Sequence, residues 1–405
     1  MTKAKKFAAA VQNTKSYHLG IDIGGTGVDA QLFEMKDGKL SKDHVWELKQ
    51  KTKKGVEPHA AQIANMIIQA RTEAEKLGGI LVEVGIGSPG RFKEGVIKPG
   101  TNANLGLTPN EFDGVNLKER YTATVNAKGK QPAPPIHVIN DGDAMLAGII
   151  DTIQTGEAKS LQLVDQRGNK FDKHSLLGQH VGLLGIGTGI GHAIVKFDTK
   201  GNYRPATDGH ASKLRLKVAE KDGDWFLMET VARILKAEAQ KKAKQKDRAA
   251  IGDQVVMFKE DYTIRAEDLF RGPTINAFAR LEKNKPPLGN YVANIDDVNT
   301  LRFAGKYIAR LIAEIRSGKP RDIVPANGWS APEKAEAAAT SVYFIGSGLG
   351  STPLGKEIIR YAGEELERMK IHNIRLVHFP KENVAARAAA VASMPAKSRG
   401  TSLAG

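Results

Sequence analysis

No cysteine occurs in the 405 residues, which excludes disulfides, thiolate zinc sites and cysteine nucleophiles together. Any chemistry must come from oxygen and nitrogen groups. No run approaches the roughly 18 to 20 consecutive apolar residues that a membrane span requires. The opening MTKAKKFAAAVQNTKSYHLG has no apolar stretch long enough for a secretory signal. The expectation is a cytoplasmic protein with a short basic tail and no membrane partner. Aromatic residues are sparse, at 6%, and no nucleic-acid motif interleaves them with lysines.

What is present bounds the answer further. With 41% hydrophobic residues the chain can bury a substantial core, and a chain of this length ordinarily divides into two domains of about 150 to 200 residues. Sixty Lys plus Arg against 45 Asp plus Glu leave a net charge of +15, enough to draw polyanions to the surface. Phosphorylated ligands fit that field, and site chemistry must choose among them.

Along the chain, YHLGIDIGGTGVDAQLF (17–33) sets two short apolar runs around a glycine cluster, which predicts a hairpin. Apolar residues from Val56 to Leu77 recur at helical spacing. Leu81–Gly87 and Ile136–Ile139 read as strands. The device then repeats: Gly182–Ile186 and His192–Phe197 flank a second glycine cluster. Trp225–Lys259 is helical in character and carries Lys236, Lys241, Lys242, Lys244, Lys246 and Arg248, most simply a solvated face. Val342–Ile345 is a further strand, followed by GSGLGS and an amphipathic stretch over Leu354–Met369. An alanine-rich helix over Asn383–Ser393 is suited to close packing. Strands alternating with helices predict an α/β fold whose architecture repeats once.

Glycine clusters after strands let backbone N–H groups converge on phosphate, because no Cβ blocks the approach. Two near-matches to better known motifs fail. Gly85, Gly87 and Gly90 satisfy G-x-G-x-x-G, but RFKEGVIKPG follows where a dinucleotide fingerprint must open a helix. Gly350–Lys356 resembles a P-loop, but Glu357 stands where the magnesium-binding hydroxyl belongs.

The order of the remaining signals is informative: Asp22 ahead of Gly24 and Gly25, the Asn140-Asp141 pair, a second glycine hairpin, then a glycine turn before a helix. This order resembles the actin, hexokinase and heat-shock-protein superfamily, and within it the ROK sugar kinases. GIDIGGTGVDAQLF looks like their first phosphate loop, VGIGSPGRFKEGVIKPGTNANL like their sugar-side loop and VINDGDAMLAG like their catalytic segment. GLLGIGTGIGHAIV looks like the second phosphate loop, YFIGSGLGSTPLGKEII like the adenosine turn and ENVAARAAAVAS like the closing helix. Residues 211–341 lie outside the resemblance. The absent cysteine-rich zinc motif, Gly27 where many relatives carry lysine, TNANL and NDGDA all resemble the polyphosphate-dependent glucokinase branch.

The resemblance implies a two-lobed actin-like ATPase fold, a duplicated ribonuclease-H-like α/β architecture with the active site in the interlobe cleft. Residues 17–150 would form the N-terminal lobe, with the closing helix 383–395 packing back onto it. Residues 151–381 would form the C-terminal lobe, and 1–16 and 396–405 flexible tails. The implied activity is phosphoryl transfer from polyphosphate or ATP to a hexose hydroxyl.

Such a reaction needs a placed nucleophile, neutralised phosphate charge and magnesium. Asp141 is the candidate general base; Asp143 looks better placed than Asp141 to cap a helix beginning near Ala144. Asp22 would hold Mg²⁺ through water. Gly24, Gly25, Thr26, Gly187, Thr188 and Gly189 would cradle phosphates, and Gly346, Gly348 and Gly350 would border adenine. Asn104, Asn140, Asp141, Asp208 and His210 match sugar-binding positions. Aligning His210 puts Thr207 where the family has glutamate, so the carboxylate clamp on the sugar is absent or displaced. No structural zinc is expected, and a homodimer is left open. The competing reading is a catalytically inactive sugar- or nucleotide-binding protein with the same fold. The family's regulators carry a helix-turn-helix ahead of the kinase fold, which the sixteen residues before Tyr17 are too few to hold.

Overall fold

The computed structural model describes residues 15–93, 95–99, 105–108, 110–155, 161, 163–187, 189–207, 211, 214–218, 223–244, 255–283, 293–321, 328–380 and 384–394. They fall into two compact units, residues 15–151 with 384–394 and residues 152–380.

In the first unit β1 (Lys15–Ile23) and β2 (Gly27–Lys36) form an antiparallel hairpin. Both β3 (Lys39–Leu40) and β4 (Trp46–Lys51) pair with β2. After helix α1 (Val56–Lys76), β5 (Gly79–Ser88) returns parallel to β1. The short hairpin β6 (Phe92–Lys93) and β7 (Val96–Ile97) and helix α2 (Leu117–Lys128) precede β8 (Ile136–Asn140), parallel to β5. The sheet order is β3-β2-β1-β5-β8.

Period-2 alternation decides the faces. Tyr17, Leu19, Ile21 and Ile23 point to one side, where they pack with Ile63, Ile67, Ala70 and Ala74 of α1. The even-numbered positions face the other side, and there the chain has glycines. Gly20 and Gly85 are register partners. A Cβ on them would fall 1.7 and 1.8 Å from the carbonyl oxygens of Ala386 and Ala389 in helix α10 (Val384–Ser393). The alanine-rich sequence of α10 and these glycines serve one purpose, backbone-to-backbone approach. Arg387 ties the helix down, donating to Asp151 Oδ2 at 2.9 Å and to the Lys42 carbonyl at 2.9 Å. Helix α3 (Asp141–Gln154) follows β8 directly.

The second unit repeats the plan. β9 (His180–Ile186) and β10 (Ile190–Phe197) form an antiparallel hairpin extended by β11 (Tyr203–Pro205). The order is β11-β10-β9-β15-β16, with β15 (Thr340–Gly346) and β16 (Arg375–His378) parallel additions. Between β11 and β15 comes an insert: a small sheet ordered β12-β14-β13, from β12 (Arg215–Lys217), β13 (Met257–Phe258) and β14 (Thr263–Arg265), with helices α4 (Asp224–Lys244), α5 (Ala266–Phe270), α6 (Gly272–Glu282), α7 (Val298–Arg316) and α8 (Ala331–Ala338). Helix α9 (Pro353–Arg368) follows β15. The sequence predicted one helical stretch from Trp225 to Lys259; the helix ends at Lys244 and Met257–Phe258 is a strand. Met257 and Phe258 pair with Ile264 and Thr263, so the end of the predicted stretch belongs to the small sheet. Lys246 and Arg248, and the side chains of Lys241, Lys242 and Lys244, lie outside the described residues.

Candidate active site

Three parallel strands of the first unit end side by side. The register pairs Asp22 of β1 with Gly87 of β5, and Ser88 of β5 with Asn140 of β8. Asp22, Gly87, Asn140 and Asp141 therefore gather at the carboxyl ends of the strands, where open α/β sheets place their ligands. Gly87 keeps the centre of this group clear: a Cβ there would lie 3.8 Å from Asp22 Oδ1, 3.7 Å from the Asp141 Cα and 3.0 Å from the Ala144 Cβ.

The helix after β8 begins at Asp141, three residues before the sequence placed it, and neither aspartate is its cap. Asn140 takes that role, its Oδ1 accepting from the Gly142 N–H at 2.9 Å and the Asp143 N–H at 3.4 Å. Its Nδ2 donates to the Gly90 carbonyl at 2.7 Å, which fastens the segment after β5 to the end of β8. Asn140 is thus committed to architecture through both ends of its amide, with one N–H left over. Relieved of capping, Asp141 keeps a carboxylate at the head of α3, its Oδ1 accepting from Gly142 N–H at 2.8 Å.

Burial raises the pKa of Asp141 above the ordinary carboxylate range, and the Gly142 N–H opposes that by favouring the charged form. Asp22 has no such support. Burial first, then the neighbouring carboxylates Asp141 and Asp29, push it up to about 7. Asp29, its partner across the hairpin, is also raised by burial, with Lys49 3.8 Å away pulling the other way. Among the described residues no three His, Cys, Asp or Glu side chains are placed to hold a metal by themselves.

The hairpin tip 24–26 sits directly beyond Asp22. Gly24 N–H closes the turn on the Gly27 carbonyl at 2.8 Å. The segment leaving β4 runs beside it: Thr52 Oγ1 donates to Gly24 O at 2.7 Å and Lys54 Nζ to Gly25 O at 2.7 Å. Neither Thr52 nor Lys54 was singled out from the sequence. The signal was available, since Lys51 stands opposite Gly27 in the β4–β2 register and the next residues must pass the loop.

The second unit has its own glycine cluster. Gly187 N–H bonds to Gly189 O at 2.9 Å across the tip of the β9–β10 hairpin. After β15 the chain turns sharply, with Ser347 at φ 63° and Gly348 at φ 43°. A Cβ on Gly348 would stand 3.1 Å from the Gly187 Cα, and one on Gly350 3.4 Å from the Ile186 Cβ. Gly346 is the register partner of Gly185. The adenosine turn and the second phosphate hairpin predicted from the sequence thus touch. The insert joins them: Gly272 N–H, at the start of α6, donates to Gly187 O at 2.8 Å. Asp268, fully buried, pairs with Arg265 Nε at 2.6 Å and Arg271 Nη2 at 3.2 Å, bracing the turn that delivers Gly272. No motif in the chain marks this contact. Asn104, Thr188, Asp208 and His210 lie outside the described residues. Thr207 is buried, its hydroxyl without a hydrogen-bond partner among the described residues.

No protein-family model and no curated protein matches the sequence. Solved structures do match the fold. The glucokinase from Balamuthia mandrillaris in complex with glucose aligns with a TM-score of 0.59 at 13% identity, covering 96% of this chain and 97% of that one. Lmo2764 from Listeria monocytogenes, a candidate N-acetylmannosamine kinase, gives 0.52 at 14% identity over 94% of this chain and 98% of that one. A ROK family transcriptional regulator, homologous to the E. coli MLC protein, gives 0.50 at 13% identity over 93% of this chain and 77% of that one. The chain has the actin-like, hexokinase-type fold. At these identities the likeness is one of fold, and the chemistry must be argued from the residues.

Proposed function

We propose that this chain is a sugar kinase resembling the ROK family, transferring a phosphoryl group from inorganic polyphosphate or ATP to a hexose hydroxyl. The observation that carries the reading is the Asp22–Asp141 pair at the strand ends, separated by a position kept bare by Gly87 and adjoining a glycine hairpin. A protein that merely bound a sugar would gain nothing from two mutually repelling, half-buried carboxylates. In the proposed reaction the attacking hydroxyl oxygen bonds to the terminal phosphorus of the donor as the bridging P–O bond breaks. Asp141 takes the hydroxyl proton, and the leaving group is ADP or a polyphosphate one unit shorter.

Magnesium is commonly held by one or two carboxylates with water and substrate phosphates completing its shell. Asp22 fits that role: burial first, and then Asp141 and Asp29, raise its pKa, and a nearby cation would offset the carboxylate repulsion. The ion would supply neutralisation of donor phosphate charge. The hairpin 24–26 would meet donor phosphates through backbone N–H groups; within the second unit, the turn 346–350 beside Gly187 is the candidate holder of adenosine when ATP is used.

A coupled assay over a panel of hexoses, run with ATP and with polyphosphate at increasing salt, tests this reading. Polyphosphate should serve at least as well as ATP, and salt should suppress its reaction more, because a long polyanion displaces counterions along its length. Binding of sugar and donor without turnover would favour the inactive binding protein instead.

A further inference from the structure

The first glycine hairpin is held from behind at every peptide. Gly24 O accepts from Thr52 Oγ1 at 2.7 Å, Gly25 O from Lys54 Nζ at 2.7 Å and Thr26 O from the Thr52 N–H at 3.2 Å. In a trans peptide the N–H points opposite to the C=O. With all three carbonyls turned towards residues 52–54, the N–H groups of Gly25, Thr26 and Gly27 point away from that segment. N–H groups left facing outward in a glycine turn are suited to meet an anion.

The backing segment is itself fixed. Gln62, buried in α1, accepts from the Lys53 N–H at 2.9 Å and donates to the Lys51 carbonyl at 2.9 Å. Gly55 N–H donates to Leu105 O at 2.9 Å, and Glu111 Oε1 accepts from the Val56 N–H at 3.0 Å. A residue placed by so many bonds on either side is not a lysine lying by chance on a carbonyl. Its charge has a further effect, because an ammonium on the Gly25 carbonyl polarises that peptide and makes the Thr26 N–H a stronger donor. No lysine or arginine lies within the hairpin tip itself, residues 24–27 being Gly-Gly-Thr-Gly.

We infer that Lys54, with Thr52, is the positioning clamp of the first phosphate hairpin, and that the Lys54 ammonium supplies the positive charge this loop lacks. The inference rests on the donor-site reading above and deepens it. Binding of magnesium-free inorganic tripolyphosphate and of AMPPNP to the full chain, followed by calorimetry, tests it without needing turnover. Lys54→Met should weaken tripolyphosphate binding by about 10- to 100-fold, the usual loss for a charge-assisted hydrogen bond. Lys54→Arg should recover most of it, and Thr52→Val should lose less than Lys54→Met. The melting temperatures of Lys54→Met and Lys54→Arg should stay near that of the parent. Lys54→Met binding within about twofold of the parent overturns the inference. Failure of Lys54→Arg to recover any binding overturns the charge half of it. A parent protein that binds neither anion defeats the donor-site reading itself, a different result from either.

Discussion

The two sheets are the same object built twice and then put to different uses. Each is a hairpin whose first strand takes a parallel neighbour, and that neighbour takes another. Both hairpins turn over three residues, between Ile23 and Gly27 and between Ile186 and Ile190. Even the ends of the parallel neighbours correspond, Ile86-Gly87-Ser88 against Ile345-Gly346-Ser347. One pair before the tip the copies part: Asp22 faces Asp29 in the first, Gly185 faces Gly191 in the second. The first copy keeps carboxylates and backs its loop with a lysine. The second removes every side chain there and lets a turn and an inserted helix close on its loop. The two copies share a glycine hairpin, and the difference at this one pair leaves carboxylates beside the first and none beside the second.

The largest test of that division is Asp141→Asn, which keeps the shape and removes the base. Hexose phosphorylation should fall by about two to four orders of magnitude, with tripolyphosphate binding nearly unchanged. More than about a tenth of parental turnover would deny Asp141 the role of base. Next comes the glycine face peculiar to the first unit. Gly85→Ala would drive a methyl group into the Ala389 carbonyl of α10, and overpacking of this kind costs about 1 to 3 kcal/mol or more. Urea unfolding should register it, and a null effect would mean α10 does not hold the approach described.

Each unit also buries a neutral histidine, so acid should weaken both. His59 in α1 and His192 in β10 are fully buried, and burial lowers their pKa to about 4 and about 3. Once unfolded, each regains an ordinary value near 6.5 and takes up a proton that the folded state refuses. Stability is therefore unaffected above pH 6.5 and falls as pH drops below it, by about 2 kcal/mol per histidine at pH 5. Melting curves from pH 7 to pH 5 should show the loss, and His192→Leu should reduce its slope. The smallest effect marks the insert alone. Ser330 caps α8 in a reciprocal capping box with Glu333, and Ser330→Ala should cost about 1 kcal/mol. If the two units unfold separately, only the transition of the second should move.

How much of this was legible in the chain differs by element. The glycine hairpins, the alanine-rich helix and the order of strands followed from local periodicity, because a period of two or of 3.6 is written in neighbouring residues. The identity of the cap on α3 was misjudged, since Asn140, Asp141 and Asp143 are all acceptable caps in sequence. Only the position of β8 beside β5 made Asn140 the one whose amide could also reach Gly90. Lys54 and Gly272 were missed for the same reason. Each acts on a carbonyl far away along the chain, and no local pattern encodes a partner.

Three things could be read without the fold: the repeat of the hairpin, the absence of thiol chemistry and the residue types that could act as base and cradle. These depend on composition and short-range spacing, which folding does not alter. The tertiary structure alone decided which carboxylates face one another, that Gly87 leaves the room between them, and that Thr52, Lys54 and Gly272 grip the two loops. Those relations arise from strand register, and register is set by the burial of whole faces rather than by any residue's neighbours in the chain.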